Sequence, residues 1–401
     1  MTVYSDTQTF KENLENNNKM IKEIRNHYAA LIYICLAIAV FSELMSISAL
    51  GVSYEALAHL LNRIHKISRW ILILIVADQL FSLGFNILKT ALFLTLLFFV
   101  AFTAKTWIMF DLLFIPLFIG QTCGLKKMYS VILCTLVFGT FLIITIDYFD
   151  LFKQYEFSRN ETIRHSFGFY HPNSLGLTLM LIGMLLALIK NKLKSYDFVF
   201  LIILCFSIKY FTDSRSAFYP LTILTTLLFI INYYEKIISK LFGKKLTVFS
   251  IFFILFIISL MFYMIISENW MEYVDNIING RLNYGKQALD EYGITLLGQK
   301  ITISIEWEVA KGAKYFVIDS LYYYFPIVVG IIPSLFLLGA YIYSVKQTIK
   351  EKNIKLYVIL MLFVLYGIPE SVAFTSGLCM FVFLSPFMTL YKNISDNKKQ
   401  E

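Results

Sequence analysis

Apolar residues are gathered into continuous blocks of about 17 to 25 positions, the length that carries a helix across a bilayer. The blocks run at 28–50, 70–86, 88–104, 107–123, 128–149, 174–190, 196–211, 216–234, 247–267, 320–344, 354–368 and 372–391. Their pattern predicts an all-α fold, a polytopic membrane helical bundle of about 12 transmembrane helices with a large extracytoplasmic loop. Alternation of apolar and polar positions, the mark of a membrane barrel, is missing. Asp78, Gln79, Asn86 and Lys89 interrupt the second and third blocks, so one of these is expected to be re-entrant or interfacial.

Between the blocks, charge sets direction. The basic segments 190–194, 235–245 and 346–355 recur at every second loop, which places them and both tails in the cytoplasm. The outer side then receives 150–173, the turn at Asp213–Ser216, the segment 268–319 and the bend at Gly367–Ser371. Segment 268–319 carries eight acidic residues against five basic, in keeping with an exterior position. Loop 51–69, with Arg63, Lys66 and Arg69, is basic yet falls outside in this scheme. The expected organisation is a cytoplasmic tail at 1–27, one transmembrane domain at 28–391 containing the outer loop 268–319, and a cytoplasmic tail at 392–401. No small-residue cleavage site follows the first block, so it reads as a retained span of a multi-pass protein of the cell membrane.

Composition adds exclusions. With 58% hydrophobic and 15% charged residues there is no room for a separate soluble domain. Five cysteines without a C-x-x-C pair argue against a disulfide framework or zinc site. The formal charge of +8 is what basic cytoplasmic loops supply, and it gives no reason to expect a nucleic-acid partner. Internal repeats, Gly-rich phosphate loops and H-E-x-x-H spacing are missing, so neither metal nor cofactor is expected.

Candidate chemistry lies in four polar stretches on the predicted outer face. In "RHSFGFYHPNSLG" (164–176), Pro172 suits the first position of a helix, with His171, Asn173 and Ser174 at its start. The helix N-terminus, with Arg159, Arg164, His165 and His171 close in sequence, would attract an anion such as a diphosphate headgroup. A plain helix start with arginines reaching lipid phosphates is the alternative. In "DSRSAF" (213–218) a tight turn would hold Arg215 rigidly for two-pronged phosphate contact, or simply pair it with Asp213. In the outer loop, Arg281 is a candidate anion contact. Asp319, followed by Tyr322, Tyr323 and Tyr324, offers a carboxylate and sugar-stacking rings, or else a helix-start aspartate under an aromatic belt. Glu370 in "GIPESVAF" (367–374) is costly near hydrocarbon and calls for a partner, Arg215 or Arg281, unless it is an exposed turn residue.

These stretches resemble the Wzy-type oligosaccharide repeat-unit polymerases of the O-antigen polymerase/ligase group, of the sort encoded for Gram-positive capsule or exopolysaccharide. "FGFYHPNSLG" is similar to the G-F-x-H-P-N start of a middle span, "TDSRSAF" to an S-R-[ST] turn, "GRLNYG" to the opening of the large outer loop, and "IDSLYYYFPIVVGIIP" to the span after it. The resemblance implies transfer of a growing glycan from undecaprenyl diphosphate onto a lipid-linked repeat unit, with inversion and without a required metal. It implies that Arg215 and Arg281 bind the diphosphate, with His171 and Asn173 at the H-P-N positions and His171 as headgroup contact or proton carrier. Where related ligases carry a histidine after the large loop this chain has Asp319, the first choice for the base, with Arg164 and Glu370 supporting. Implied partners are the undecaprenyl-diphosphate-linked oligosaccharide, membrane lipid, and a chain-length regulator and flippase of the same pathway. Two other classes stay open: a ligase moving the glycan to another acceptor, and a lipid-linked-oligosaccharide flippase or transporter. The latter wants charges along a central path, and mid-span charges such as Asp78 and Asp111 are few.

Overall fold

A computed structural model describes residues 28–82, 87–102, 106–119, 123–151, 157–159, 162–267, 273–275, 280–301 and 316–387. The predicted tails at 1–27 and 392–401, and 302–315 of the predicted loop, lie outside them. The described chain is almost entirely helical. Its first half comprises α1 (Tyr28–Ser46), α2 (Ala49–Ser53), α3 (Glu55–Ser82), α4 (Ile87–Phe102), α5 (Thr106–Met109, widening into a π-helical stretch Phe110–Ile119) and α6 (Leu125–Tyr148). A small hairpin of β1 (Phe157–Arg159) and β2 (Thr162–Arg164) precedes α7 (Pro172–Ile189). Then follow α8 (Ser195–Ser207, extended by a π turn Ile208–Thr212), α9 (Arg215–Ile238), α10 (Lys244–Ile266) and α11 (Arg281–Tyr292). The last part holds α12 (Leu321–Tyr324, running on through Phe325–Val329), α13 (Ile331–Lys350), α14 (Ile354–Tyr366) and α15 (Val372–Thr375).

Among the described residues, six helices are long and apolar enough to cross a membrane: 28–46, 125–148, 172–189, 195–212, 215–241 and 244–266. Shorter apolar helices occupy 90–99, 107–118 and 354–366. The all-α, multi-pass character therefore holds, while several predicted spans differ in detail. The predicted outer loop 51–69 and span 70–86 are largely one helix, α3, whose polar half is paired against other helices and so reads as a loop only in isolation. The predicted span 320–344 breaks at Gly330, whose φ of 102° and ψ of 155° are open to glycine alone. A Cβ there would run into the backbone nitrogen of Gly298, so the break also seats the segment after α11. The span 372–391 divides into α15 and a short helix at 381–387.

α7 is the central post. Of its apolar window 67% is inside the molecule, against 28% for α10, and it packs on α6, α8, α9 and α14. An apolar circumference suits a helix that meets other helices on most of its surface and has no face turned to water. At its C-terminal end, Lys355 at the start of α14 donates to the carbonyls of Ala187 (3.3 Å), Lys190 (2.5 Å) and Asn191 (2.9 Å). One ammonium thereby satisfies carbonyls that a helix end leaves without partners.

Candidate functional site

The opposite end of α7 carries the polar cluster. His171 is its N-cap, in extended backbone conformation, with Pro172 at the first helical position. The His171 ring accepts at Nδ1 from the Asn173 backbone N–H (3.0 Å) and meets Phe157 of β1 edge-on. That bond places the ring proton of neutral His171 on Nε2. Burial, then the charges of Arg164, Arg159 and Arg281, lower its pKa to about 3, so it is a neutral donor across the ordinary pH range.

Arg164 ends β2 and is buried. Its Nε donates to the Thr212 carbonyl (2.8 Å) and its Nη2 to Asn173 Oδ1 (2.7 Å), joining the hairpin, α7 and the turn before α9. The approach is possible because Gly176 of α7 has no side chain: a Cβ would lie 2.6 Å from the Ser214 Cβ. The Asn173 amide, oriented by Arg164, donates through Nδ2 to Glu370 Oε1 (3.0 Å). The same oxygen accepts from Ser216 Oγ (3.0 Å) and from Arg281 Nη2 (2.9 Å). Arg281 opens α11, and its Nε reaches Asp319 Oδ2 at 3.4 Å. Thus Arg164, His171, Asn173, Arg281, Asp319 and Glu370, drawn from across some 200 residues, form one constellation.

The two carboxylates differ. Glu370 is 4% exposed and holds the centre, whereas the Asp319 side chain is 34% exposed. Burial pushes the Glu370 pKa up to about 7; Arg281 pulls against this and Asp319 adds to it. Burial likewise raises Asp319, with Arg281 opposing. One guanidinium between two carboxylates cannot keep both comfortably ionised, and the site is poised to exchange a proton near neutrality.

Arg215 does not join the cluster. As the first residue of α9 it is exposed and lines a neighbouring cavity of about 630 Å³ with Arg159, His165, Lys209 and Asp213. Asp213, in left-handed backbone conformation (φ 42°), is held by Lys209 Nζ (2.8 Å) and lies 3.6 Å from Arg159 Nη1. Among the described residues three cations and one carboxylate line this cavity, a positive balance. The segment 212–216 is the wall between the two features: Asp213 and Arg215 face the cavity, and Ser216 faces Glu370.

The tyrosines are engaged in packing. Tyr323 and Tyr324 are buried, the Tyr323 hydroxyl donates to the Met261 carbonyl (2.6 Å), and the Tyr322 hydroxyl to that of Val364 (2.6 Å). They pack α12 against α10 and α14 instead of presenting rings to a sugar. From Leu321 onward this region lines an apolar cavity of about 430 Å³ bounded by Ile258, Phe262, Pro326, Leu338 and Phe363. Ser216 and the Thr212 carbonyl escaped sequence reading, since nothing in residue type distinguishes them from ordinary helix-start residues. The cysteines are all free, and no group of metal-ligating side chains occurs among the described residues. No protein-family profile, curated protein or solved structure matches the chain.

Proposed function

We propose that the protein is a membrane glycan polymerase, which transfers a growing glycan from undecaprenyl diphosphate onto the hydroxyl of a lipid-linked oligosaccharide repeat unit. The observation that carries this reading is the pairing of a positive cavity with a carboxylate–arginine cluster across one turn, 212–216. Such a transfer needs a cationic seat for the departing diphosphate and, beside it, a base for the attacking hydroxyl. Arg159, Lys209 and Arg215 supply the first, in a cavity whose volume accommodates a diphosphate and part of a sugar. Asp319, the more exposed carboxylate, takes the hydroxyl proton, while Glu370 and Ser216 fix the Arg281–Asp319 geometry. The hydroxyl oxygen bonds to the anomeric carbon from the face opposite the diphosphate, the carbon–oxygen bond to the diphosphate breaks, and the lipid diphosphate departs as the anion. The apolar cavity that begins two residues after Asp319 suits a stretch of polyprenyl chain. We assign the cluster end to the outer side of the cell membrane and both termini to the cytoplasm, from the basic segments at the other end.

The test is direct. Purified protein in detergent, given lipid-linked repeat unit and no nucleotide sugar, is expected to yield a ladder of chain lengths. Transfer of unelongated units to a different acceptor would select the ligase reading, and unchanged lipid moved between leaflets would select transport. An unchanged, unmoved substrate would remove the proposal.

A further inference from the structure

A second group of ionisable side chains lies inside the bundle, apart from the site above. Glu43 of α1, His65 and Arg69 of α3, and Asp111 of the π-helical stretch after α5 converge. His65, Arg69 and Asp111 are each at most 6% exposed. Arg69 grips Asp111 with two prongs, Nε to Oδ1 at 2.9 Å and Nη2 to Oδ2, and its guanidinium sits 5.0 Å from the Trp107 ring. Glu43 Oε2 lies 3.9 Å from the same Nη2 and 3.5 Å from His65 Nδ1. From the C-terminal region, the backbone at Gly377 closes over Asp111, where a Cβ would be 2.8 Å from Oδ2.

Two features of this group are unbalanced. The first is charge: among the described residues a single guanidinium faces two carboxylates, Asp111 buried and Glu43 with its side chain 21% exposed, and excess negative charge beside apolar helices is costly. The second is a hydrogen bond not made. Ser42 Oγ donates to the Ile38 carbonyl (2.6 Å), so at its 3.0 Å contact with His65 Nδ1 the ring nitrogen is the donor. Neutral His65 then has a bare Nε2, buried, without a hydrogen-bond partner among the described residues, and 3.9 Å from Asp111 Oδ2. One added proton removes the excess charge wherever it rests; on the Glu43 carboxylate it does that alone, and on His65 Nε2 it also gives the bare nitrogen a hydrogen directed toward Asp111.

We infer that Glu43, His65, Arg69 and Asp111 form a proton-binding site within the membrane domain, which holds one exchangeable proton shared between Glu43 and His65. The inference is independent of the glycan-transfer reading. The site is mechanically tied to the cluster at the end of α7: Glu43 lies a turn from the end of α1, and just beyond it Ala49 N–H donates to the Gly168 carbonyl (2.8 Å) and Tyr170 N–H to that of Ile47 (3.1 Å). Loss or gain of the proton is therefore felt at Gly168 and Tyr170, beside His171.

Infrared difference spectroscopy of the full chain in lipid nanodiscs, between mildly acidic and alkaline buffer, tests the assignment. Beside the signal of Glu370, the wild type is expected to lose one further carboxylic-acid or imidazolium signal on alkalinisation. That signal should survive in Glu370→Gln, which removes the separate titration at the α7 cluster, and vanish in the double variant Glu43→Gln/His65→Gln. Should the double variant not fold, the single variants decide: Glu43→Gln, shaped like the protonated acid, is expected to keep the wild-type melting temperature at neutral pH, and at least one of the two must diminish the signal. An unchanged difference spectrum in both single variants, or in the double variant, overturns the proposal.

Discussion

At the scale of single residues, the site is governed by how many partners one atom serves. Glu370 Oε1 accepts from Asn173, Ser216 and Arg281 at once, and Arg281 in turn spans Glu370 and Asp319. A lysine has no planar fork to reach both carboxylates, so Arg281→Lys is expected to lower turnover in the ladder assay at least about tenfold, or about 1.4 kcal/mol in the barrier. Arg215→Lys in the positive cavity should also impair turnover by more than the conserved charge suggests, because a phosphate loses its two-pronged contact. The raised pKa of Glu370 has a thermodynamic sign. An acid raised from 4.5 to about 7 binds its proton more tightly folded than unfolded, so its stabilisation is present in full below pH 4.5 and is lost as pH climbs through about 7. Relative to Glu370→Gln, the melting temperature of the wild type in detergent should fall over that interval. His171 acts in the opposite direction in the same window: neutral in the folded protein down to about pH 3 but protonated below about 6.5 when unfolded, it adds stability as pH rises, which is why the comparison is made against Glu370→Gln.

At the scale of elements, breaks and close approaches decide where side chains point. Gly330→Ala introduces a Cβ at a φ that L-residues avoid, worth about 1–3 kcal/mol in strain, and drives it into the backbone of Gly298. A lowered melting temperature is expected, with loss of the ordering of α11 that carries Arg281; a wild-type melting curve would show that the segment after α11 is not seated there. The starts of elements were the most legible part of the sequence. His171–Pro172 marked the first turn of α7 and Asp213–Ser214 the turn into α9, because capping chemistry is local. Helix α3 was illegible for the opposite reason: Arg63, Lys66 and Arg69 look like a basic loop unless Asp111, 42 residues onward, is known to lie against Arg69. The three-residue strands of the hairpin are shorter than any periodicity can register. The Tyr322–Tyr324 run was legible as aromatic, yet its direction was not, since side-chain orientation is set by the packing of α12 on α10 and α14.

At the scale of the whole molecule, the fold gathers distant chemistry at one end of a buried post and fastens the other end. That Arg281 partners Glu370 was one of two possibilities in the sequence, and only tertiary structure chooses between them. The exclusion of Arg215 from the cluster, and its place in a separate positive cavity, could not be read at all, because neighbours in sequence at a helix start diverge in direction. Lys355 has a further consequence, for assembly. The carbonyls it caps belong to residues made more than 160 positions earlier, and Glu370 arrives 197 residues after Asn173. During synthesis the central helix must therefore wait in the bilayer without its Lys355 cap and its Glu370 contact until the residues after Lys350 emerge from the ribosome. A nascent chain stopped after Lys350 should insert its early helices yet be cleared rapidly by quality-control proteases in a pulse–chase experiment, because neither fastener has been translated.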